Sequence, residues 1–142
     1  MAIRRKPHRH IINKSTLRRG TALVEFAICL PLLTVLLLGT IEASSMIFLK
    51  QSLTIAAYEG ARTALRPGAT AAGVIADCTQ ITTDRGLHDV TVTLTPDNLT
   101  NLPAGDFITV QVSAPCESNS LFATWFYKSQ VLSAEFEVMK EF

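Results

Sequence analysis

Two kinds of residue in this 142-residue chain have types and spacings that can do chemistry. The first is a single carboxylate, Glu25, near the start of "TALVEFAICLPLLTVLLLGT", which is followed by a stretch with no charged side chain from residue 26 to residue 41. A carboxylate at the edge of such a run is expensive in hydrocarbon and calls for a counter-charge or access to headgroups. The second is the cysteines. Cys29 lies within the apolar run, whereas Cys78 and Cys116 lie well beyond it. If that region is exported to an oxidising compartment, Cys78 and Cys116 are expected to form one disulfide, with two buried free thiols as the alternative. A bridge closing a loop of about 38 residues would contribute about 3–4 kcal/mol in the chain-entropy model.

Other chemistry finds little to stand on. His8 and His10 make a weak metal signal in the basic head, and His88 stands alone at a strand start, where an exposed surface residue is the default. The sequence has no glycine-rich phosphate loop, no nucleophile elbow and no Cys-x-x-Cys pair. No enzyme activity, metal, cofactor or small-molecule substrate is expected.

The elements that must position these residues begin with a charge split. Residues 1–20 carry seven Lys/Arg, among them Arg4, Arg5, Lys6 and Arg9, and no acid. The rest carries six basic and all twelve acidic side chains, a balance of −6. A basic head, an apolar bar and an acidic body are the pattern of a membrane-inserted chain with its head retained in the cytoplasm. A basic head can also bind nucleic acid. The adjoining apolar run favours topology, and no nucleic-acid partner is expected. Between Gly20 and Glu42 the run is about 21 residues, roughly 30 Å as a helix, enough for one bilayer crossing. Pro31 lies inside it and predicts a kink. A cleaved signal peptide ending near Ser44 or Ser45 is the rival reading. Against it stand the long basic head and a helical pattern that does not stop at Ser45.

Beyond Glu42, Leu49, Leu53, Ala56, Ala57, Gly60, Ala61 and Ala64 recur at three- and four-residue steps as one small apolar stripe. Lys50, Thr54, Arg62 and Arg66 lie on another face. Arg66-Pro67-Gly68 is a stop signal. These patterns predict one helix from about Thr21 to Arg66, its first half in lipid and its second against an exported body.

After the stop, "ATAAGVIADCTQITTDRG" predicts a short second helix with Ala72, Ile75, Ala76 and Cys78 on its apolar side. Three alternating runs then predict strands, with Val90, Val92 and Leu94, then Ile108, Val110 and Val112, then Leu132, Ala134, Phe136 and Val138 on one face. The fold class expected is α+β: a long N-terminal helix, transmembrane in its first half, packed on a small three-stranded antiparallel sheet with a short second helix. The expected divisions are 1–20 leader, 21–41 membrane helix, 42–66 exported helix and 67–142 head. "SLFATWFYK" concentrates Phe122, Trp125, Phe126 and Tyr127, with Leu121, Phe122, Trp125 and Phe126 fitting one helical face. Capping the small core is the reading preferred for them, over a subunit contact or an interfacial anchor.

Arg19, Gly20, Ala22, Val24, Glu25 and Phe26, then Pro31, then Gly39, Ile41 and Glu42, then Ala56, Ala57, Gly60, Ala61 and Arg62 resemble the ordered motifs of TadE-like proteins. These are minor pilins or pseudopilins of the tight-adherence, Flp-type pilus system, and the resemblance spans residues 18–66. Phe26 stands where the major pilin typically has tyrosine. The resemblance implies cleavage of the leader after Gly20 by a prepilin peptidase, leaving Thr21 as the new N-terminus. It also implies that Glu25 neutralises the N-terminal ammonium of a neighbouring subunit and sets the register of assembly, with Phe26 beside it. The partners implied are the bacterial inner membrane, the peptidase, other pilin subunits and the Tad assembly machinery, with the head in the periplasm. The alternatives are a soluble periplasmic binding module freed by ordinary signal peptidase, or a single-pass assembly factor that is never processed.

Overall fold

The computed structural model describes residues 14–100, 102–121 and 124–141, with side chains from Gly20 onward. The leader residues Arg4, Arg5, Lys6, His8, Arg9 and His10, and Phe122 of the aromatic cluster, lie outside the described residues. Helix α1 (Lys14–Ala64) is followed by α2 (Ala71–Asp84), β1 (Thr91–Thr95), β2 (Phe107–Pro115), a single 3₁₀ turn (Glu117–Asn119) and β3 (Val131–Met139). The fold is α+β, with a long N-terminal helix, a short second helix and a three-stranded antiparallel sheet. By internal contacts the chain divides into two units, Met1–Leu38 and Gly39–Phe142.

In the first unit α1 is apolar all round. Leu23, Val24, Phe26, Ile28, Leu32 and Leu36 are each more than half exposed. A helix with no buried face is stable in water only if something apolar covers it. α1 continues through Pro31 without a break, although the ring cannot donate to the Ala27 carbonyl.

In the second unit the small stripe does what its spacing predicts. Leu49, Leu53, Ala56, Ala57, Gly60, Ala61 and Ala64 are all buried, while Lys50, Thr54, Arg62 and Arg66 are exposed. The strands lie in the order β1-β2-β3. Val92 pairs with Val112 and Leu94 with Val110, while Val110 pairs with Phe136 and Val112 with Ala134. One sheet face is therefore continuous apolar surface against the stripe. The other face pairs Thr93 with Gln111 and Gln111 with Glu135, a polar surface suited to water. Tyr58 of α1 meets Phe136 of β3 edge to face, with centroids 5.1 Å apart at 85°.

The face of α2 differs from the expectation. Val74, Cys78 and Thr82 are buried, at four-residue steps, while Ala72, Ile75 and Ala76 are not. Thr82 can go inside because its hydroxyl donates to the Cys78 and Thr79 carbonyls, each at 3.0 Å, leaving only its methyl to pack. Thr70 caps the start, its Oγ1 accepting from the Gly73 N–H at 3.2 Å. Gly86, at φ +70°, closes the end: its N–H bonds the Thr83 carbonyl and the Leu87 N–H bonds the Thr82 carbonyl, each at 2.9 Å.

Candidate functional site

The residues expected to serve processing and register, Gly20, Thr21, Glu25 and Phe26, lie on the exposed apolar part of α1. Gly20 and Thr21 are both exposed and both helical, since α1 begins at Lys14 and not at Thr21 as expected. A protease reads extended backbone, so cleavage here requires the helix to open locally at Gly20, the residue with the weakest helix propensity after proline. Glu25 is exposed one turn beyond Thr21, and Phe26 beside it is 60% exposed. Their side chains project from the helix and are free to meet a neighbouring helix.

The expected Cys78–Cys116 disulfide is corrected by the structure: both are free, fully buried thiols. Cys78 Sγ donates to the Ala56 carbonyl of α1 at 3.4 Å, beside Gly60 and at the level of Val110. Cys116 follows the end of β2, six residues after Val110, which is roughly 20 Å along a strand. A disulfide needs Cα atoms within about 7 Å, so the two thiols stand too far apart to bridge. Burial pushes the Cys78 thiol up to about 11, with the Asp77 carboxylate adding to the effect and a backbone hydrogen bond opposing it. Burial also raises Cys116.

The residue that the sequence left without a role is Glu42. It is 7% exposed, and its Oε1 accepts from three successive backbone N–H groups: Trp125 at 3.1 Å, Phe126 at 3.0 Å and Tyr127 at 3.1 Å. Three convergent amides form a nest that compensates a buried carboxylate for lost water. The available signal was a second carboxylate at the far end of the apolar run. Its partners lie more than 80 residues away and offer only main chain, which no side-chain pattern announces.

The aromatic segment that Glu42 holds is neither a helix nor the core cap expected of it. Leu121, Trp125 and Phe126 are 78%, 68% and 64% exposed, and among the described residues of the segment only Tyr127 packs against the core. Beside Leu121 runs an open groove of about 520 Å³ lined by Ile41, Ser45, Phe48, Arg85 and Asn119 among others. Its wall is stiffened by Asn119, whose Oδ1 accepts from the His88 N–H at 2.8 Å and whose Nδ2 donates to the His88 and Pro115 carbonyls at 2.9 Å. His88 itself is exposed. Among the described residues no group of His, Cys, Asp and Glu could hold a metal ion.

Residues 20–62 match the family model of TadE-like proteins, the stretch whose motifs carry the resemblance. No curated protein and no solved structure matches the chain. The one helix among the described residues that is long and apolar enough to cross a membrane, Gly20–Ala64, contains the same stretch and fits single-pass anchoring.

Proposed function

We propose, from the premise that residues 20–62 are TadE-like, that this chain is a pseudopilin or minor pilin that helps to build a Flp-type pilus for surface attachment. The observation that carries this reading is that the TadE-like match coincides with an exposed apolar helix on which Glu25 follows Gly20 by five residues. A prepilin peptidase cleaving after Gly20 frees the Thr21 ammonium. Glu25 of one subunit then meets that ammonium on another as their helices bundle. Opposite charges attract strongly in low dielectric, and an unpaired carboxylate there is costly, so only the matching axial offset is stable. The partners are the inner membrane, the peptidase, other pilin subunits and the Tad machinery, and the head lies on the periplasmic side.

Release of a soluble head near Ser45 fits the structure poorly. Such a cut would sever Glu42 from the three amides that it holds and would leave Ser45, buried against the head, as a chain end. A second reading, a fixed anchor that is never processed, is favoured by one observation: α1 passes through the Gly20–Thr21 bond without interruption. The test is the N-terminal sequence of the mature protein from membranes that contain its own peptidase. Thr21 supports the pseudopilin, Met1 overturns processing in favour of the fixed anchor, and a start near Ser45 overturns both.

A further inference from the structure

We propose that Leu121 and the connection from Thr124 to Val131 form an interfacial membrane seat. Leu121, Trp125 and Phe126 enter the headgroup–acyl boundary of the leaflet on the head's side, and Glu42 is the positioning residue that aims them. The inference rests on α1 crossing the membrane, but not on cleavage or on entry into a pilus.

Three observations converge. The head leaves some of its largest apolar side chains outside while its core is filled with alanine, valine and leucine. Leu121, Trp125 and Phe126 on the connection, and Val131 where it enters β3, are all more than 60% exposed. Exposed apolar surface concentrated in this way marks a contact, whereas single exposed apolar residues do not.

The second observation is where the connection is fixed. Glu42 holds the amides of Trp125, Phe126 and Tyr127, and a Cβ built on Gly39 would lie 3.7 Å from Phe126 Cε2. Gly39 to Glu42 is also where the charge-free run ends. From Thr21 to Ile41 the apolar run, with Glu25 near its start as its one charged residue, is about 30 Å long as a helix, the thickness of a bilayer's hydrocarbon core. The aromatic connection is therefore pinned to the turn of α1 at which the bilayer must end.

The third is chemical. Tryptophan and phenylalanine beside an exposed Lys128 suit a boundary at which apolar rings meet phosphate headgroups. Backbone entering that boundary needs its N–H groups satisfied from within the protein. The Glu42 carboxylate supplies this for three consecutive residues, so the connection presents rings to the lipid and not bare amides. A second copy of the chain could cover the same rings, but nothing would then require them to sit at the end of the apolar run.

Trp125 is the chain's single tryptophan, so its fluorescence reports the seat without labelling. The full chain is reconstituted into phosphatidylcholine–phosphatidylglycerol vesicles, and retention is read after alkaline extraction. The expected result is emission shifted to shorter wavelength, protection from aqueous iodide, and stronger loss of intensity with lipids brominated high on the acyl chain than with lipids brominated near its end. Glu42→Gln should weaken that lipid quenching while the chain stays in the membrane. Retention with iodide-quenched emission that ignores brominated lipids overturns the seat and leaves the spanning helix standing. Emission that shifts with protein-to-lipid ratio yet ignores brominated lipids assigns the rings to a second copy, and also overturns it. Extraction of the chain from the vesicles overturns the seat and the membrane anchor together.

Discussion

Gly60 of α1 and Cys78 of α2 meet so closely that no side-chain carbon fits between them. A Cβ at position 60 would collide with Cys78 Sγ and would stand 3.2 Å from Val110 Cγ1 on β2. The two helices and the central strand therefore converge on one glycine. Gly60→Ala should destabilise the head by about 1–3 kcal/mol through overpacking. Cys78→Ala in the same chain removes the struck sulfur and should recover a large part of that loss, a coupling that a double-mutant cycle reads directly. Strict additivity of the two substitutions in denaturant unfolding of the full chain would refute the contact.

The two head thiols should behave as buried, separate groups. Since a thiolate and not a thiol is the nucleophile, Cys78 and Cys116 in the folded chain should resist alkylation at neutral pH and react on unfolding, with or without reductant. Uptake of label that depends on reductant would instead reveal a bridge.

The same shifts set a direction with pH. Below the ordinary thiol value of 9.0, folded and unfolded chains both keep the Cys78 proton, and this group's contribution to stability is fully present. As pH rises from 9.0 towards about 11 the unfolded chain releases that proton first, so stability should fall across this window. Cys78→Ala should flatten the fall, as measured by unfolding midpoints taken from neutral to alkaline pH.

Loss of the Glu42 carboxylate should uncap three amides at once. Glu42→Ala is expected to destabilise the head by about 1–3 kcal/mol, the cost of leaving buried donors without an acceptor. Glu42→Gln keeps an oxygen in place and should cost less. Equal unfolding midpoints for the native chain and the alanine variant would show that the nest contributes nothing.

On the proposed function, Glu25→Ala should leave cleavage after Gly20 largely intact while pilus yield falls. Normal yield from this variant would remove Glu25 from assembly.

The sequence by itself determined what depends on short-range periodicity. Three- and four-residue steps in one segment and two-residue alternation in three others specify a long helix, its buried stripe and a one-faced sheet, because side-chain direction follows the local backbone. The ordered motifs of residues 20–62 were legible for the same reason: they lie on one continuous helix. Only the tertiary structure decided what joins distant segments. That Val74, Cys78 and Thr82 line the inner side of α2 depends on where α1 and Val110 stand, and on a hydroxyl satisfied within its own helix. Whether two cysteines can bridge is a matter of distance, and the stretch of β2 beyond Val110 separates them. Glu42 had no partner in any sequence pattern because its partners are main-chain amides, which every residue but proline carries. Only the folded chain brings three of them to one oxygen.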